Sequence, residues 1–152
     1  MTPYEAARKI LEEHWDKTLP VNPVAIANSM GVKVFFSSGL DVSGKFAEHS
    51  GQPAIYVNPD ESLSRKRFTI FHELGHYVMG HGARARDKYR VYNKYNFIPE
   101  ECDANNFAAE MLMPRDAVEF YANEKGYSLS QLANVFAVSE KAMAIRLERL
   151  GI

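Results

Sequence analysis

Apolar positions along the chain change their period several times, and each change marks an element. From Tyr4 to about Trp15 they recur at helical spacing, with Ile10, Leu11 and Trp15 on one side, until Thr18 to Pro20 interrupt them. Asn22-Pro23 then sets a capping side chain before a proline at the first helical position, and Val24, Ile26, Ala27 and Met30 run to a stop at Gly31. Val32 to Phe36 is rich in strand formers. Ser43 to His49 and Pro53 to Asn58 are two further extended stretches, divided by Ser50-Gly51-Gln52 at hairpin spacing. A small antiparallel sheet is predicted.

The second half reads as helices. One begins between Ser62 and Arg65, ends at Gly80 or Gly82, and has hardly any polar face, because Phe68, Ile70, Phe71, Leu74, Tyr77 and Val78 surround it. Another follows Pro99, with Phe107, Ala108, Met111 and Leu112 as its inner side and small Ala104, Ala108 and Ala109 permitting close packing. Pro114-Arg115-Asp116 opens a further helix that Gly126 ends. Ser128 to Gln131 fits a capping box ahead of Leu132, Ala133, Val135 and Phe136, and Ser139 caps a last helix carrying Met143, Ile145, Leu147 and Leu150. Two short helices about a tight link resemble a helix-turn-helix. The expected fold class is α+β: mainly helical, with the small sheet beside a central helix, as one domain over 1–152 in which 114–152 forms a helical subregion.

Composition narrows the setting. With 46% apolar and 24% charged residues and a formal net charge of -1, the chain has ordinary soluble composition and no overall attraction to polyanions. The single cysteine, Cys102, excludes an internal disulfide and fits a reducing compartment; beside acidic neighbours it is expected to be buried and inert. No apolar run is long enough to span a bilayer, and Met1 to Glu5 lack the start of a secretory leader, so a cytoplasmic protein without membrane attachment is expected.

The chemistry concentrates in His72-Glu73-Leu74-Gly75-His76. At about 3.6 residues per turn the two histidines share a helical face, so both imidazoles can reach one ion, while Glu73 stands about 100° further round, beside the ion without binding it. Two histidines and a glutamate in so apolar a helix are costly to bury unless paired or coordinated. Gly75, mid-helix, implies a close backbone neighbour such as a strand passing over the site. His81 lies on another face and is expected to support a ligand rather than act as one.

A catalytic zinc site with two histidines needs a third protein ligand and one open position. Pro99 to Pro114 is the best source. There Glu101, Ala104, Asn105, Ala108 and Leu112 form one stripe, which favours Glu101 as the ligand and Asn105 as the group orienting a ligating histidine; Glu100 and Asp103 lie on other faces and stay as alternatives.

Arg67 to His81 together with Glu101 to Pro114 resemble the ImmA/IrrE family of zinc metallopeptidases, and the likeness runs from about Pro20 to the C-terminus. The resemblance implies one zinc ion held by His72, His76 and Glu101, with Glu73 as catalytic base. It also implies site-specific cleavage of helix-turn-helix repressors that silence mobile elements or stress-response genes, often in toxin-antitoxin-like pairs. Family members typically carry glutamate where this chain has Asp103. The rival reading is a non-catalytic regulator that binds a repressor or DNA through its C-terminal helices around a structural zinc, and a small-substrate zinc hydrolase is a third.

Two stretches bear on nucleic acid. Arg84 to Tyr95 interleaves five basic residues with Tyr89, Tyr92 and Tyr95, a pattern able to grip a strand but more consistent with a solvated loop bordering a cleft. The last helix carries Lys141, Arg146 and Arg149 against Glu140 and Glu148, a balance that favours packing on the core or a protein partner over reading DNA.

Overall fold

The computed structural model describes residues 1–81 and 98–152. Helix α1 (Pro3–His14) is held at its start by a capping box between Thr2 and Glu5. Helix α2 (Pro23–Ser29) is capped by Asn22, whose side chain accepts from the Ala25 amide at 3.1 Å. Strands β1 (Lys33–Phe36), β2 (Gly44–His49) and β3 (Gln52–Val57) follow, then α3 (Leu63–Val78), α4 (Pro99–Leu112), α5 (Arg115–Glu119) with a π-helical turn over Phe120–Glu124, α6 (Leu129–Phe136) and α7 (Glu140–Leu150). The fold is α+β and mainly helical, as expected.

The sheet is mixed rather than antiparallel. Its order is β1-β3-β2, with β2 and β3 forming the expected hairpin and β1 pairing parallel to β3. The hairpin is written locally in its turn residues; the β1–β3 pairing is non-local and leaves no such mark. Phe46 and Ile55, opposite each other in the hairpin, turn inward and are buried, whereas Phe35 and Tyr56 stack on the outer side with ring centroids 5.4 Å apart. Among the described residues no strand pairs with the outer edge of β2.

α3 and α4 form the most extensive helix pair, and α1, the sheet and α2 pack around them. Phe71 and Phe107 are fully buried between these elements, each contributing about 1.5–3 kcal/mol by leaving water. The neighbour that requires Gly75 is not a strand. A Cβ there would lie 2.9 Å from Cδ1 of Phe107, so it is an aromatic ring of α4 that occupies the space.

The C-terminal helices share the same core through Leu132, Phe136 and Met143. They are also tied by charge. Glu110 of α4 is buried and pairs with the buried Arg146 of α7, while Arg8 of α1 reaches its other oxygen at 3.1 Å. Arg146 Nε donates to the Met113 carbonyl as well. One of the three cations read on the last helix is thus committed to the interior.

Candidate metal centre

Ser62 starts α3 by accepting from the Arg65 amide, and the helix then carries His72, Glu73 and His76 inward. α4 lies alongside and turns Glu101 toward them. One Glu101 oxygen is 2.9 Å from His72 Nε2, the other is 3.0 Å from His76 Nε2, and the two ring nitrogens are 3.2 Å apart. The two imidazoles meet edge to face. Of the three carboxylates weighed in the sequence, Glu101 is the one set against both rings. His76 is fully enclosed, whereas His72 keeps 13% of its side chain exposed, so the centre opens on the His72 side.

The remaining ring nitrogens are also occupied. His72 Nδ1 lies 2.8 Å from Asn105 Oδ1, and His76 Nδ1 lies 2.8 Å from His81 Nδ1. Asn105 and His81 therefore stand where orienting groups belong. A carboxamide oxygen only accepts, so His72 Nδ1 carries a proton, and Nε2 is the nitrogen left to bind an ion.

Glu73 is buried, and one ligand atom each from His72, Glu73 and His76 fall within 4.8 Å of one another. Both Glu73 and Glu101 therefore bring a carboxylate to the two imidazoles, Glu73 from the same helix and Glu101 from α4. Gly44 of β2 lies against this side of α3: an added Cβ would clash with Thr69 Cγ2 and the Tyr56 carbonyl, while Glu73 Cγ, 3.7 Å away, would be in ordinary contact. Reading the sequence passed over Gly44. The available signal was a glycine at the head of a strand pattern, which marks close backbone approach.

Burial alone would raise the Glu101 carboxyl, but hydrogen bonds to His72 and His76, with their charge, hold it well below the usual carboxylate range. It is an anion at any pH near neutral. Cys102, next to it, is half-buried rather than buried. Arg84 to Tyr95, with the basic-aromatic pattern and its three tyrosines, lie outside the described residues.

Residues 27–148 match the family model Peptidase_M78, the IrrE N-terminal-like domain. The chain belongs to this family. The Peptidase_M78 assignment covers every element from the end of α2 to α7, and hence all the residues of the centre. Among solved structures the fold is similar to a Mycobacterium tuberculosis transcriptional regulator, with a TM-score of 0.66 at 17% identity over 96% of this chain. The match takes in 46% of that protein, so the chain spans less than half its length. At that identity the likeness concerns the fold. Among curated proteins none matches the chain significantly.

The donor set fits zinc. Nitrogen and carboxylate ligands at about 2.0–2.2 Å from an ion sit roughly 3.3–3.6 Å from one another along the edges of a tetrahedron. The observed separations of 2.9, 3.0 and 3.2 Å are shorter than that edge, so the three groups would move slightly apart around an ion. No helix among the described residues is long and apolar enough to cross a membrane.

Proposed function

We propose that the protein is a zinc-dependent endopeptidase, with His72, His76 and Glu101 as metal ligands and Glu73 as catalytic base. The observation that carries this reading is the convergence of two imidazole nitrogens and a carboxylate within 3.2 Å, each imidazole anchored through its far nitrogen. Three lone-pair groups so close repel unless protons or a cation lie between them. Three protein ligands also leave a fourth position open, which distinguishes a catalytic from a structural zinc. When bound, zinc acts as a Lewis acid that polarises a carbonyl and lowers the pKa of water to about 7.

The chain's own residues supply the rest. Asn105 and His81 hold the two rings through their Nδ1 atoms, so that both Nε2 atoms would be free to bind the ion. Glu73, buried beside them, takes a proton from the attacking water on its carboxylate and returns it to the leaving amine. β2 packs on α3, and its outer edge is the place for an extended peptide to add as a further strand, bringing a scissile amide over the centre.

The substrate class is a helix-turn-helix repressor, the protein encoded beside members of this family, and a single site-specific cut relieves repression. The similarity in fold to a protein described as a transcriptional regulator supports a place in gene control. Incubation of the zinc-loaded protein with helix-turn-helix repressors encoded near it, followed by mass spectrometry of the products, tests the reading. One cut, abolished by a chelator and by Glu73→Gln, is the expected result. Repressors left intact with metal bound stoichiometrically would overturn it.

A further inference from the structure

A groove of about 490 Å³ runs between α3, α4 and α7, away from the candidate metal centre. At its near end stand Phe68, whose ring lies 5.8 Å from that of His72, and Asn105, which holds His72 Nδ1. The floor is apolar. Ala109 and Met113 come from α4 and its end, Val138 from the link before α7, and Ile145 from α7 itself, 43% exposed although Met143 and Arg146 on the same helix are buried. The rim carries Arg65, Lys141 and Arg149, all exposed, and among the described residues no carboxylate lines the groove. In a chain with 18 basic and 19 acidic residues, a rim of cations alone is a local departure from balance.

These features specify an occupant. The volume falls in the range of about 300–1,000 Å³ typical of ligand clefts, enough for an apolar anchor and the backbone that carries it. Lys141 and Arg149, eight residues apart on one helix, are separated by about 12 Å, two turns of a helical ligand. Exposed ion pairs contribute little affinity singly but choose and orient a partner, so the floor supplies binding and the rim supplies selection. Nucleic acid would meet the same cations, yet the third cation of α7, Arg146, is turned inside, which leaves that helix few charges to set against phosphates.

We propose that this groove docks an acidic, amphipathic segment of the protein substrate. An apolar side chain of that segment lies against Ile145 and Met113, and its carboxylates meet Arg65, Lys141 and Arg149. This inference rests on the reading of the centre as a peptidase, and it adds the chemistry by which a repressor is held while its scissile bond lies over the zinc ligands.

The test is made on the full chain with metal removed, so it reads binding and not cleavage. A phage-displayed library of random peptides is panned on the wild-type protein and on the Lys141→Glu, Arg149→Glu double variant. Substitution at these exposed positions leaves the core intact, which circular dichroism checks. The expected result is enrichment of peptides with Asp and Glu flanking Leu, Ile or Phe on the wild type alone. A fluorescein-labelled peptide from that set should lose affinity about tenfold or more in the double variant and in Ile145→Glu, and none in Lys9→Glu, an exposed position on α1 outside the groove. Enriched peptides without an acidic excess, affinity unchanged by these variants, or groove-dependent competition by duplex DNA would overturn the proposal. Failure here leaves the peptidase reading to its own cleavage assay, and a working groove beside a centre that cuts nothing would overturn that reading alone.

Discussion

Asn105 Oδ1 lies 2.8 Å from His72 Nδ1, so the helix that offers Glu101 to one nitrogen of this imidazole also orients it through the other. Asn105→Ala removes the orienting contact and leaves Glu101 in place. Zinc affinity should fall roughly 10–100-fold, with thermal stability of the metal-free protein little changed. Competition against a chromophoric chelator measures this, and unaltered affinity would assign Asn105 to packing only.

Glu73→Gln keeps size and burial but removes the proton acceptor. Metal content, measured by elemental analysis, should stay at one ion per chain while cleavage drops by about 10²–10⁴-fold. Loss of the metal along with activity would instead make Glu73 a ligand.

Protons compete with the ion for its ligands. Glu101 is held well below the usual carboxylate range, so it binds no proton in mild acid and contributes none to metal release. A group lowered in this way gives its stabilisation at and above the ordinary carboxylate range and loses it only as pH falls further. Acid release of the metal should therefore proceed without proton uptake at Glu101, and carboxyl infrared bands followed during a pH titration of the zinc-loaded protein should show Glu101 ionised throughout mild acid. A Glu101 carboxyl that protonates in step with metal release would overturn this.

Gly75→Ala gains up to about 1 kcal/mol of helix propensity but sets a Cβ 2.9 Å from the buried Phe107 ring. Overpacking of this kind costs about 1–3 kcal/mol, so a net loss is expected, along with weaker zinc binding as α3 and α4 are pushed apart. Denaturant melts with and without metal separate the two effects.

Glu110→Ala leaves Arg146 buried without its carboxylate, and a loss of about 3–5 kcal/mol is expected in urea unfolding. Arg8→Ala removes a half-exposed partner of the same carboxylate and should cost no more than about 1 kcal/mol.

How much of this was legible in the sequence differs by element. The caps at Asn22, Ser62, Ser128 and Ser139 all form, because a capping side chain acts within three residues of itself. The helical stripe through Glu101 and Asn105 also reached the site, since a fixed period sets which side chains share a face. What escaped depends on contacts between distant segments. The parallel pairing of β1 with β3, Phe107 as the neighbour of Gly75, the room Gly44 leaves for Thr69 and the inward turn of Arg146 are all of that kind. An arginine on an amphipathic helix looks the same in a sequence whether it faces water or Glu110.

Helix α4 carries Glu101 near one end and Glu110 near the other, one facing the imidazoles and the other gripping Arg146. It behaves as a shared beam, about 13 Å long between the two carboxylates. A load on α7 therefore bears on the strut that presents Glu101, and the C-terminal helices cannot swing free of the metal donors without first tearing a buried charge from its counterpart.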